Sequence, residues 1–237
     1  MIFHFIVLWV HSALQAKYTS QNLIFSIQQV EQSKVTFREI IIQPIKVFYS
    51  HFILVIMSAL VIAGSSFYPS DMDGYYATFK GGNKNIFVNG IEDYGRHINT
   101  ITPLVMALIL KDGTGIKQLL VITFSGILAS HGPKRLLNDF EVMGTRLGQR
   151  PTSPNSKHNT PSGHSTMAGS GAYYLMRRYS WWFGVLVIPV MLFTMYARVM
   201  LDQHTISATI AGAATGMLVA ALFTTKLKGL ASPFQQT

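Results

Sequence analysis

The sequence predicts an all-α membrane protein, a polytopic bundle of about six transmembrane helices. Three observations carry that reading. Of 237 residues, 49% are hydrophobic and only 12% are charged, far from the balance of a water-soluble domain. Apolar runs recur along the chain, separated by short polar or basic breaks. The basic residues fall in alternate breaks, as expected when successive connections lie on opposite sides of a bilayer.

The first 45 residues read as an N-terminal extension, with residues 46–237 as the membrane domain. Met1 to Ala16 is apolar but short, with no basic residue ahead of it and a poor cleavage pattern, so a removed signal peptide is not expected. Leu23, Ile24, Ile27 and Val30 recur at helical spacing between polar residues, predicting a helix along the headgroup plane from Tyr18 to Lys46. Val47 to Tyr68 reads as the first span, stopped by Pro69 and Asp71. Ser70 to Asn99 reads as an extramembrane loop or short helices, with Tyr75, Tyr76 and Phe79 at the interface.

Ile98–Leu110 and Gln118–Ser130 read as two antiparallel spans joined by a basic turn from Lys111 to Lys117. A long connection follows, His131 to Thr160, rich in Pro, Gly, Asn, Lys and Arg. Ser165–Met176 carries small residues that allow close helix packing. Trp181–Tyr196 and Ile206–Thr224 complete the six.

Lys46, Lys111, Lys117, Arg177, Arg178, Lys226 and Lys228 then fall on one side, which the charge rule makes cytoplasmic. The opposite side nevertheless carries Lys134, Arg135, Arg146, Arg150 and Lys157. An anionic substrate accounts for that exception. The net charge of +9 thus points to anionic lipid or an acidic substrate, not nucleic acid. With no cysteine, disulfides, thiolate catalysis and Cys-based metal sites are excluded.

Ser162, Gly163 and His164 stand where a helix begins, and free backbone N–H groups at such an end favour an anion. Taken alone, Ser162 reads as an N-cap, His164 as a helix-end residue and Arg198 as a cation snorkelling to headgroups. Together with His204, all on one side, they suggest a phosphate-handling site. One histidine can be a nucleophile toward phosphorus and a second a proton donor, while cations neutralise the phosphoryl oxygens. A zinc site is the weaker reading, because neither histidine has a partner at ligand spacing.

Lys134 with Arg150-Pro151, then Pro161-Ser-Gly-His164, then Arg198 with His204 six residues on, resemble the three signatures of the type 2 phosphatidic acid phosphatase superfamily. Arg146-Leu-Gly-Gln-Arg-Pro151, Thr160 to Met167, Leu175 to Ser180 and Leu201 to Ile206 are similar to the bacterial lipid A 1-phosphatases. The likeness runs from about Val47 to Lys228. It implies a six-helix bundle in the bacterial inner membrane that removes the 1-phosphate of lipid A at the periplasmic face. No metal or other cofactor is implied, and no partner beyond the phosphorylated lipid and the surrounding membrane lipids. It further implies His204 as nucleophile, His164 as the acid, and Arg198, Arg150, Ser162 and the Gly163 amide as the phosphate cradle.

Two positions depart from the family pattern. Lys134 and Arg150 stand farther apart than the usual six intervening residues, so Arg146 is expected to share the task of Lys134. Where the family has Asp one turn after the nucleophile, this chain has Ala208, so either Asp202, Asp139 or Glu141 holds His204 instead, or the histidine is less firmly fixed. Phosphatidylglycerol phosphate or undecaprenyl diphosphate as substrate, and phosphoryl transfer to another lipid, are the alternative enzymatic readings. A lipid-binding protein on an inactive phosphatase fold is the non-enzymatic one.

Overall fold

A computed structural model describes residues 35–78, 82 and 84–227. The expectations for residues 1–34, Phe79 and Lys228 lie outside the described residues. Residues 35–227 form one compact unit. Its helices are α1 (Phe37–Ser50), α2 (Phe52–Ser66), α3 (Met72–Thr78), α4 (Ile86–Asp93), α5 (Ile98–Ile109), α6 (Gly113–Leu136), α7 (Gly163–Arg178), α8 (Gly184–Met200) and α9 (Ile206–Phe223). Single 3-10 turns, Gly95–His97 and Trp181–Phe183, precede α5 and α8.

Each of the six expected spans is helical, but not all are long enough to cross alone. Three stretches have the length and composition to cross a membrane, Gly113–Leu136, Trp181–Met200 and Ile206–Phe223, and the α1–α2 pair counts as a fourth if taken as one broken span. α5, with 12 residues, is about 18 Å long, well short of a hydrocarbon core of about 30 Å. α7 is the bundle's central helix: Ala168, Ala172, Tyr174 and Leu175 are all buried. Large apolar side chains point outward from its neighbours, among them Leu120, Phe124, Val185 and Leu192. In lipid that outward face is the ordinary state of a bundle.

The first span is not one straight helix. α1 and α2 meet at His51 with a bend of 98°. Ser50 turns its hydroxyl back onto the Lys46 carbonyl at 2.8 Å, a bond that competes with the helix ladder at that point. α1 starts at a capping box, with Thr36 and Glu39 satisfying each other's backbone N–H. The described part of the N-terminal segment, residues 35–46, thus runs nearly at right angles to α2.

α6 is longer than the sequence pattern implied at both ends. Asp112 accepts from Gly115 N–H at 2.8 Å and starts the helix at Gly113, so the turn is shorter than Lys111 to Lys117. At the other end the helix continues to Leu136, which moves Lys134 out of the expected loop and onto a helix face. Beyond it lies a two-stranded hairpin, β1 (Glu141–Val142) and β2 (Thr145–Arg146), turned by Met143 and Gly144 at φ 50 and 83. Two successive positive φ angles give the tight turn that matches strand twist.

α7 and α9 cross very closely. A side chain at Gly212 would run into the Ser162 backbone, and one at Gly216 into the Thr166 carbonyl. The absence of a Cβ at these two places lets the helices carrying His164 and following His204 approach at backbone contact. Ser162 N–H also donates to the Ala208 carbonyl at 2.9 Å, tying the Pro-Ser-Gly-His turn to α9.

Candidate active site

Three signatures distant in sequence converge on one cavity of about 450 Å³ between α5, α6 and α7. Lys134, Arg150, Gly163, His164, Arg198 and His204 line its polar end, while Leu119, Ile122, Ile127 and Met167 continue it between the helices. The chain therefore presents cations and imidazoles at one end of an apolar slot. A larger cavity of about 630 Å³ reaches the other side of His204, lined by Tyr68, Met72, Val199 and Ile210 among others. Its lining is mostly apolar and lacks the cations, so the smaller cavity holds the candidate chemistry.

The spacing of Arg198 and His204 has a local cause. After α8 ends, the Arg198 carbonyl accepts from both the Gln203 and His204 amides, at 3.0 and 3.2 Å, which folds the segment back on itself. Asp202 takes a positive φ of 56 to allow it. His204 is only 2% exposed, and its Nδ1 lies 2.8 Å from the Asn159 carbonyl. A carbonyl can only accept, so Nδ1 carries the proton and Nε2 keeps its lone pair. Burial, followed by repulsion from Arg150, Arg198 and Lys134, holds His204 well below the ordinary histidine value, against a smaller opposing effect of the Asn159 bond.

Ser162 is fully buried at the N-cap of α7. Its oxygen accepts from the Ser165 amide at 3.5 Å and the Ser165 hydroxyl at 3.1 Å, and neither bond uses Ser162's own proton. Gly163 follows in the first turn, where a methyl group would stand 3.7 Å from Lys134 Nζ. Its free amide and that ammonium thus face one small space. Arg150 donates to the Gln203 side chain at 3.3 Å and to the His158 carbonyl at 3.0 Å, and burial and Arg198 both pull its pKa below the usual arginine value.

Arg146 is placed differently from expectation. Its guanidinium donates to the Pro154 and Ser156 carbonyls, at 2.7 and 3.3 Å, and reaches Asn138 and Asp139 at 3.4 Å. It does not line the cavity, and its donors staple the long loop. The position 16 residues after Lys134 is filled by Arg150 because Lys134 sits on α6, so wide sequence spacing becomes close approach. None of Asp202, Asp139 or Glu141 holds His204; the acceptor is a backbone carbonyl.

Two functional candidates escaped the sequence reading. Glu92, from α4, accepts from both Arg198 and Arg96 at 2.6 Å. Arg96 in turn places Nη1 2.9 Å from His164 Nε2. Arginine can only donate, so in this contact His164 Nε2 is the acceptor. α4 is seated by Val88 and Ile91 against Ala197 and Met200, directly beneath Arg198. The only sequence trace of this pair is the i, i+4 spacing of Glu92 and Arg96, common to many helix surfaces. Among the described residues no group of three or more His, Asp or Glu is gathered as a metal site.

A membrane helix bundle that gathers one buried and one half-buried histidine with three cations around a single cavity has the residue set that suits a phosphate ester. The PAP2 superfamily is matched over residues 116–230, which include every candidate site residue except Glu92 and Arg96. Over 133 residues the chain is 42% identical to the lipid A 1-phosphatase of Helicobacter pylori strain J99, covering 56% of this chain and 69% of that one. Identity to its counterpart in strain 26695 is 41% over 137 residues, 58% of this chain and 71% of that one. The lipid A 4′-phosphatase of strain J99 is 32% identical over 125 residues, 52% of this chain and 63% of that one. No solved structure is matched. The chain belongs to the PAP2 superfamily, and it is a multi-pass membrane phosphatase.

Proposed function

We propose that the protein removes the 1-phosphate of lipid A at the periplasmic face of the inner membrane, through a phosphohistidine on His204 and without a metal ion. The observation that carries this reading is the convergence of His204, His164, Lys134, Arg150 and Arg198 on one cavity whose far end is apolar. A polar end for a phosphate and an apolar continuation suit a phosphorylated lipid. The relatives' names favour lipid A, and higher identity to the 1-phosphatases than to the 4′-phosphatase favours the 1-position.

In this reading His204 Nε2 attacks phosphorus while the bond to the sugar oxygen breaks and His164 delivers a proton to that oxygen. Water then attacks the phosphohistidine, gives its proton to His164, and inorganic phosphate leaves. Lys134, Arg150, Arg198, the Ser162 hydroxyl and the Gly163 amide neutralise the phosphoryl oxygens, supplying the charge stabilisation that other phosphatases draw from metal ions. An arriving phosphate dianion competes for Arg96 and so frees His164 Nε2 to take up a proton. The basic residues at the opposite end of the bundle, Lys46, Lys111, Lys117, Arg177, Arg178 and Lys226, support a cytoplasmic end there and hence a periplasmic site, and an anionic substrate accounts for the cations at the site itself.

The test is mass spectrometry of lipid A incubated with the purified protein, with fragmentation to locate the lost phosphate. Loss from the 1-position is expected; loss from the 4′-position identifies the second reading, which the 32% identical relative motivates. Given dispersed lipid A, intact spheroplasts expressing the protein should release phosphate without lysis. Activity that appears only after lysis would put the site on the cytoplasmic side.

A further inference from the structure

We infer that Asn159 is a positioning residue for His204, replacing with a neutral clamp the carboxylate that the superfamily places one turn after its nucleophile; this rests on the reading of His204 given above. The position of that carboxylate is Ala208, which is fully buried and whose carbonyl is taken by Ser162 N–H. Asn159 reaches the nucleophile from the other side, out of the long loop. Three of its groups grip two consecutive residues. Its carbonyl accepts from His204 Nδ1 at 2.8 Å, its Oδ1 accepts from Thr205 N–H at 3.1 Å, and its Nδ2 donates to Thr205 Oγ1 at 3.2 Å.

Thr205 is the N-cap of α9, and its hydroxyl accepts from Ala208 N–H at 3.2 Å. The amide of Asn159 therefore fixes its own carbonyl relative to the helix end from which His204 projects. The Asn159 N–H is itself held by the Gly148 carbonyl at 3.1 Å, so the clamp is anchored in the same loop that delivers Arg150. Asn159 is 4% exposed and both ends of its side-chain amide are paired, which sets its orientation in the hydrogen-bond network.

The substitution of a carbonyl for a carboxylate has a chemical consequence. A carboxylate would raise the basicity of the imidazole and neutralise the cation formed when phosphorus is attached. A carbonyl fixes the same tautomer without adding charge. The charged groups facing His204 are then the cations Arg150, Arg198 and Lys134, so the ring is a weaker base and a better leaving group from phosphorus. The second half of the reaction, release of phosphate from His204, is the step this arrangement favours.

The first test needs no substrate. Nitrogen-15 resonances of the wild-type protein in detergent should show His204 with a protonated Nδ1 and a bare Nε2, and the reverse tautomer overturns the inference. The second uses steady-state kinetics on an aryl phosphate and on lipid A. Asn159→Ala should lower kcat by about 10- to 100-fold, the size found when a hydrogen-bond partner that orients a metal-bound histidine is removed, with KM changed less than about two-fold. Asn159→Asp keeps the acceptor for Thr205 N–H and should recover most of that loss. A rise in KM at constant kcat, or equal defects in both variants, contradicts a positioning role. Should Asn159→Ala fail to fold, the tautomer measurement and the Asn159→Asp variant still decide. Intact lipid A after incubation would overturn the substrate assignment alone, because the tautomer does not depend on it.

Discussion

Two arginines at opposite ends of the bundle, Arg178 and Arg198, are almost equally buried, at 3% and 6% exposure. Arg178 is fully matched. Its Nε and Nη2 donate to the two oxygens of Asp112 at 2.7 and 2.5 Å, its Nη1 donates to the Thr225 carbonyl at 2.9 Å, and Tyr179 completes the carboxylate's shell at 3.2 Å. Among the described residues Arg198 has one acceptor, Glu92, and shares it with Arg96. Among the described residues Arg198 Nε and Arg150 Nε are buried without an acceptor. A buried charge matched one to one holds α6, α7 and the chain after α9 together; a buried charge left partly unmatched is poised for an anion. Under the proposed function, stability and phosphate binding thus draw on the same residue type, distinguished by how completely its donors are satisfied.

The comparison can be broken by removing each arginine in turn. Arg178→Met leaves Asp112 buried without its partner and should cost about 3–5 kcal/mol, read as loss of folded protein in detergent. Arg198→Met should instead lower kcat/KM by about 10²- to 10³-fold, as expected for a group that meets developing charge on phosphate, with the thermal midpoint within about 2 °C of wild type. Equal effects of the two substitutions on stability would erase the distinction.

A smaller effect sharpens it. His204 is pushed below the ordinary histidine value by burial and then by Arg150, Arg198 and Lys134, so below about pH 6.5 the unfolded chain binds a proton that the folded one does not. That contribution to stability is fully present above the unfolded value and is lost as pH falls. Between pH 6.5 and 5.5 it amounts to about 1 kcal/mol, and His204→Gln should remove that part of the pH dependence. An unchanged slope in the variant would mean that His204 titrates normally.

Much of the candidate site's placement was legible because the geometry of its segments is local. Pro161 to His164 and the Arg198–His204 pair lie within single turns, and a helix start or a folded-back segment fixes their geometry whatever surrounds them. Arg150 was legible through its Pro151 neighbour. Arg146 misled because it shares that loop, and only the carbonyls of Pro154 and Ser156 reveal that it faces away. Glu92 and Arg96 were invisible for a different reason: their partners are 106 and 68 residues away, and a carboxylate and a guanidinium one helical turn apart look like an ordinary surface pair.

Asn159 was hidden because its contact with His204 is made by a backbone carbonyl, which every residue owns. In the fold, the six helical segments followed from hydropathy, whereas the 98° bend at His51 did not. There apolar residues stand on both sides of the short polar pair Ser50-His51, so the hydropathy pattern gives no sign of the change of direction. Arg178 shows the limit of counting charges: it served the orientation argument as a basic residue, yet Asp112 cancels it.

The central claim, that phosphate passes through His204 in a cradle of incompletely matched cations, is tested by trapping the intermediate. Purified protein is mixed with lipid A carrying labelled phosphate, quenched in base within a turnover, digested and mapped. Acid-labile, base-stable label is expected on the peptide containing His204, and none in His204→Ala, whose turnover falls by about 10⁴-fold or more. Label on His164, unlabelled protein during active turnover, or phosphate release by His204→Ala would contradict it.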